Sequence, residues 1–195
     1  MAQDFSQIDY SNTLEPRSGT FLLANVNLQD PNFCRTVVLL CEHNAEGTFG
    51  LVLNQSLPAV LSQGVADLMG WDAPLYRGGP VGPGSLHFIH TRTDLDIGSE
   101  LVAPGICWGG DFNEVNRLMA SGETQPDEFR FFVGYSGWDE GQLDQEISDC
   151  AWYLTPAASA MTFEPHGTRL WERVLTTMGP EFAMLRHLPR DPRVN

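Results

Sequence analysis

The chain has 195 residues, of which 42% are hydrophobic and 10% aromatic, enough for one domain with a sizeable core and without the polar bias of disordered chains. It carries 25 acidic against 11 basic residues, a formal charge of −14, and every basic residue is arginine. Lacking lysine, it has no P-loop lysine, no Schiff-base or pyridoxal phosphate anchor and no Ser-Lys pair, and so acidic a surface repels the phosphates that dominate nucleic-acid affinity.

Residues 1–17 show no hydrophobic period and predict an N-terminal arm. They contain neither the basic start nor the apolar core of a signal peptide, and no run approaches the roughly 18 apolar residues of a membrane span. Cys34, Cys41, Cys107 and Cys150 lack CxxC spacing and read as reduced thiols, which predicts a cytoplasmic protein. Residues 18–187 are predicted to form a single domain, and residues 188–195 a Pro-containing tail.

Residues 21–26 begin the domain as a strand, and Asp30-Pro31-Asn32-Phe33 is a turn. Residues 35–42 form a second strand, whose unbroken Val37-Val38-Leu39-Leu40 run predicts burial on both faces. Residues 44–47 turn the chain, and residues 48–54 return as a third strand, making a hairpin. A helix is expected over 58–69, a tight loop over 76–81, a strand over 85–90, and one or two short strands within 101–108. Asp111 caps a helix whose Phe112, Val115, Leu118 and Met119 share a stripe. Residues 129–135 form a strand, 136–138 a loop, and 139–149 a helix in which Asp139 and Gln142 resemble a capping box. Residues 152–154 are a short strand, and 161–163 are expected to form another. An amphipathic helix over 168–178 stops at Gly179-Pro180, and a short last helix follows. Hairpins mixed with irregularly spaced helices argue for an α+β protein, not a doubly wound parallel sheet.

The ordered blocks Asp30-Pro31-Asn32-Phe33, residues 35–40, Glu42-His43-Asn44, residues 50–54, Gly78-Gly79-Pro80-Val81 and residues 134–138 together resemble the YqgE/AlgH family of bacterial proteins. Gly141-Gln142-Leu143, Glu146 and Ala151-Trp152 extend the resemblance, which covers residues 19–179. It implies an α+β fold in which a mixed, mainly antiparallel, bifurcated sheet curls into a pseudo-barrel with flanking helices. One member's label as a regulator of alginate synthesis implies a place in a regulatory pathway. The chain departs from the family pattern at Gln55-Ser56, where Arg-Pro is expected, and at Thr48-Phe49, where Ala-Met is usual. The lost arginine removes a positive charge near the hairpin.

Several residues invite a chemical reading. Residues 134–138, read as a turn entering a helix N-terminus, suggest a seat for a small anion or a purely structural glycine turn with Trp138 packed beneath it. Ser136 lacks the following glycine of a hydrolase elbow, since position 138 is Trp. His87 and His90, three apart in a strand, face opposite ways and cannot share a metal. Cys34 and Cys41 lie roughly 23 Å apart along an extended strand, beyond disulfide reach. Cys41 and His43 share a strand face, as a thiolate pair or as an inert core cysteine beside a histidine. Residues 94–100 have carboxylates like a calcium loop but not EF-hand spacing. No metal or cofactor is predicted.

The strongest set combines polar residues that interrupt or end apolar strands: Glu42, His43, Asn54, Arg77, Arg130, Tyr135 and Gln142, with Trp138 and with Gly78 and Gly79 permitting close backbone approach. The alternative makes Arg130 and Glu42 a structural ion pair and Asn54 a turn residue. The first functional reading is a non-enzymatic regulatory or adaptor protein that binds a small anionic ligand or a basic protein partner. Its rivals are a hydrolase or transferase using His43 with Arg77 or Arg130, and a transcriptional regulator that acts indirectly and not by DNA contact.

Overall fold

β9, an 11-residue strand from Phe129 to Asp139, organises the architecture of the chain in its computed structural model, which describes residues 14–60, 73–164 and 169–188. Its C-terminal part pairs antiparallel with β3 (Gly47–Val52), matching Gly47 to Asp139 and Gly50 to Ser136. Its N-terminal part takes β5 (Pro74–Arg77) in parallel and β6 (Val81–His90) antiparallel. This branching is the bifurcation of the sheet. Beyond β3 the order continues through β2 (Val37–Asn44), β1 (Thr20–Ala24) and β10 (Trp152–Pro156); beyond β6 it runs through β8 (Ile106–Trp108) to β7 (Glu100–Ala103). β4 (Ser56–Val60) pairs only with β5. The sheet curls into a half-barrel, flanked among the described residues by five α-helices: α1 (Phe112–Ala120), α2 (Gln142–Ser148), α3 (Ser159–Phe163), α4 (Leu170–Met178) and α5 (Pro180–Leu185).

The alternation of strand side chains divides the core. From β1 and β2, Phe21, Leu23, Val37, Leu39 and Cys41 join Trp171, Val174 and Leu175 of α4 in one cluster. Leu22, Ala24, Val38 and Leu40 point the other way and meet Trp138, Leu143 and Trp152. The Val37–Leu40 run is therefore apolar at every position because both faces of β2 are covered. A third cluster seats Val115 and Leu118 of α1 on Leu75, Phe88, Phe129 and Phe131. Helix α1 starts where Asp111 accepts a bond from the Asn113 N–H at 2.8 Å, a cap worth about 1 kcal/mol. The β2–β3 hairpin closes through the two residues Ala45 and Glu46, with the Glu46 N–H bonded to the Asn44 side chain, the chemistry expected of Asn at a turn.

Four local expectations are corrected. Residues 136–138 are not a loop: their backbone groups find partners in β3, so the strand runs to Asp139 and α2 begins only at Gln142. Tyr76 and Arg77 belong to β5 and Val81 to β6, leaving residues 78–80 as the loop. Residues 161–163 are helical, with the Thr162 N–H bonded to the Ala158 carbonyl; so short an apolar run carries no period to separate helix from strand. Of the helix expected over 58–69, residues 58–60 lie in β4 because β5 offers them an edge, and residues 61–69 lie outside the described residues. The predicted arm is described only for residues 14–17, and the tail only for Leu188. No helix among the described residues is long and apolar enough to cross a membrane.

Candidate functional site

The loop 78–80 shows why glycine stands there. The Gly78 N–H donates to the Val133 carbonyl, and its own carbonyl accepts from the Val52 N–H and, at 3.0 Å, from the Ser136 hydroxyl. A Cβ on Gly78 would stand 2.2 Å from the Gly134 oxygen, and one on Gly79 2.2 Å from the Tyr135 oxygen. The close approach these glycines permit is to the chain's own backbone. Ser136 is fully buried with its hydroxyl committed to Gly78. With residues 136–139 inside a strand, the anion seat expected at a helix start does not form there.

The polar set does not converge on one cavity. Glu42, Tyr135 and Trp138 line a cleft of about 380 Å³ at the tip of the β2–β3 hairpin, with Glu46, Phe49, Val81 and Asp139. His43 projects into a different cavity, beside Glu140 and Asp144, and its Nδ1 lies 2.7 Å from the Thr48 hydroxyl. Arg77 is exposed beside Gln55 and Leu57. Asn54, 6% exposed, accepts from the Val37 N–H and donates to the Arg35 carbonyl, tying the two strands. Gln142 accepts from the Asp139 N–H at 3.1 Å and donates to Glu146, but the helix N-cap is Gly141, so the expected Asp139–Gln142 capping box does not form. Strand alternation explains much of this dispersal, because successive residues such as Glu42 and His43 leave a strand on opposite faces.

Arg130 occupies a fourth place. It is 5% exposed, its guanidinium stacks 4.1 Å from the Tyr76 ring centre, and it donates to the Thr162 carbonyl. No ion pair joins it to Glu42, which is exposed at the hairpin and accepts from Asn44. Cys41 is equally unsuited to act with His43: burial, reinforced by Glu100 and Glu42, pushes its thiol well above the usual range, so the reactive thiolate is suppressed. All four cysteines are free. In the 94–100 segment, Asp94 is bound by Arg92 at 2.8 Å. Among the described residues no group of three or more His, Cys, Asp or Glu is placed to hold a metal ion.

The structure also assembles residues that sequence reading did not group. Phe49 stacks on Tyr135 at 4.7 Å and meets Trp108 at 4.8 Å and His87 at 5.1 Å. These four half-buried rings close one end of the half-barrel core. They come from β3, β9, β8 and β6, so only their inward alternation with Leu51, Ile106 and Ile89 could have signalled them. His87 Nε2 lies 2.9 Å from the Ser85 hydroxyl, which donates to the Gly82 carbonyl at 2.7 Å. In that arrangement Nε2 carries the proton and donates to Ser85, the reverse of a base activating a nucleophile. Burial lowers the pKa of His87 and keeps it neutral.

Known proteins resemble this chain over nearly its whole length. A UPF0301 protein of Chlorobium luteolum is 40% identical over 178 residues, covering 91% of this chain and 94% of that protein. A UPF0301 protein of Cytophaga hutchinsonii is 37% identical, covering 91% and 98%. The solution structure of the AlgH protein from Pseudomonas aeruginosa superposes with a TM-score of 0.69 at 28% identity, covering 88% of this chain and 94% of that one. The crystal structure of protein DIP2367 from Corynebacterium diphtheriae shares the fold with a TM-score of 0.76 at 23% identity, covering 96% and 100%. Residues 21–183 match the AlgH-like family model, DUF179, and with the branched, curled sheet this shows that the chain belongs to the AlgH-like family.

Proposed function

We propose that this protein is a binding module of the regulatory or adaptor kind, which receives a basic segment of a partner protein in the cleft at the β2–β3 hairpin. The observation that carries this reading is the cleft's make-up: Phe49, Tyr135 and Val81 as apolar wall, and, among the described residues, Glu42, Glu46 and Asp139 as its only ionisable groups apart from the Tyr135 phenol. Aromatic faces and carboxylates together suit an arginine or lysine side chain, which gains a cation–π contact of about 0.5–2 kcal/mol as well as charge pairing. Val81 is 38% exposed and so is available to a partner's apolar residues. The wider charge supports the same sign of partner, since thirteen of the acidic residues but only two arginines lie between positions 94 and 149. An effect on transcription would then be exerted through a protein and not by DNA contact.

The hydrolase or transferase reading is not favoured, because His43, Arg77 and Arg130 line three separate cavities and an acid–base group must reach the atom that an anion-holding group orients. Calorimetric titration of the full chain with an arginine-rich octapeptide tests the proposal. Binding is expected to weaken about tenfold or more between 50 and 500 mM salt, and about as much in Glu42→Gln/Asp139→Asn. Binding indifferent to both changes would overturn the assignment.

A further inference from the structure

Away from the hairpin cleft, the fold buries a guanidinium. Arg130 is buried on β9, and among the described residues no carboxylate forms an ion pair with it. Burial pulls its pKa down and the Tyr76 side chain partly offsets this, but a guanidinium remains protonated in proteins. The fold therefore holds a fixed cation in apolar surroundings, a costly arrangement unless an opposite charge is supplied.

The same side chain lines a cavity of about 240 Å³ whose walls are Ala73, Pro74, Tyr76, Phe129 and Phe163. That is below the roughly 300 Å³ at which cavities for drug-sized ligands begin. Of the five guanidinium N–H groups, Nη1 is directed at the Thr162 carbonyl. Asp127 stands at the same cavity and opposes an anionic ligand in proportion to its charge, so it weighs least against a monoanion. None of these residues lines the hairpin cleft.

We propose that this cavity binds a small organic monocarboxylate, with its carboxylate on Arg130 and its hydrocarbon body against Tyr76, Phe129 and Phe163. A carboxylate matches the planar fork of the guanidinium, and the apolar walls select a ligand with a hydrocarbon body over a bare inorganic ion.

Full-length protein labelled with ¹⁵N-arginine is titrated with benzoate and with isovalerate as probes, following the Arg130 Nε–H resonance. Benzamide, a neutral isostere, and inorganic phosphate are titrated in parallel. At least one carboxylate is expected to move the resonance saturably, with benzamide and phosphate binding about tenfold more weakly or not at all. Arg130→Met should abolish binding of that carboxylate, and the wild-type resonance supplies an answer even if this variant folds poorly. If neither carboxylate moves the resonance, or if benzamide or phosphate competes on equal terms, Arg130 serves only to tie α3 to the sheet and the proposal fails.

Discussion

The two ends of β9 treat buried polar groups in opposite ways. At the C-terminal end, the Ser136 hydroxyl has the Gly78 carbonyl. The Trp138 indole donates to Glu146 at 2.9 Å, and the same carboxylate accepts from Trp152 at 2.8 Å and from Gln142 at 2.9 Å. At the N-terminal end, Arg130 has no ion-pair partner among the described residues. His90, the cross-strand partner of Phe129, is completely buried and stacked on that ring at 5.3 Å, with neither ring nitrogen in a hydrogen bond of normal geometry among the described residues. Satisfied groups rigidify a fold, whereas unsatisfied ones persist where something other than stability retains them. By this contrast the bonds from Trp138 and Trp152 to Glu146 hold the architecture beside the hairpin cleft, whereas Arg130 and His90 are kept at a cost in stability, as the proposed carboxylate site would require.

Substitutions at the two ends can break that division. Glu146→Ala leaves two indole N–H groups without their acceptor and should cost about 3 kcal/mol, read from the urea midpoint; a loss below about 1 kcal/mol would remove the contrast. His90→Leu discards two buried nitrogens whose only contacts are weak ones to the Arg92 and Gly109 backbone and should stabilise the fold by about 1 kcal/mol at pH 7.

The pH dependence of stability sharpens the same point. Burial holds the pKa of His90 below its ordinary 6.5, with Arg92 pushing the same way and Asp94 and nearby backbone groups opposing. Below 6.5 the unfolded chain therefore takes the proton first, and stability falls with acidification. His87 contributes with the same sign. The slope between pH 7 and 5 should flatten in His90→Leu, and an unchanged slope would mean that His90 titrates normally. The smallest effect is expected from Arg130→Met, within about 1 kcal/mol of wild type, because removing a desolvated charge offsets the loss of the Tyr76 stacking and of the bond to Thr162. A cost matching that of Glu146→Ala would place Arg130 with the architectural residues.

Where structure follows from local chemistry, the sequence disclosed it. The Asn44 turn, the Asp111 cap and the Gly179-Pro180 helix stop each depend on neighbours a few residues away, and the unbroken Val37–Leu40 run betrayed its double burial by composition alone although the groups that cover it lie far along the chain. The loop expected at 136–138 failed because Ser and Gly are poor strand formers and the partner strand lies far upstream at 47–50. The candidate site was less legible for the same reason. Arg130 was identifiable as a charge in an apolar strand, but its contact with Tyr76 depends on a parallel pairing of β5 with β9 that no local pattern announces. Polar interruptions of apolar strands marked individual residues correctly as unusual without showing that curvature and alternation send them to different cavities.

The place of β9 in the sheet also bears on how the chain is made. Among the described residues before Phe129, the β1–β3 meander, the β4–β5 pair and the β6–β8 strands share no ladder with one another, and each has an open edge where β9 will lie. The eleven residues of β9, made after all three, are what joins them. Such late closure of long-range contacts slows folding and leaves strand edges open to other chains, so a chain cut off before β9 should aggregate more readily than the full chain.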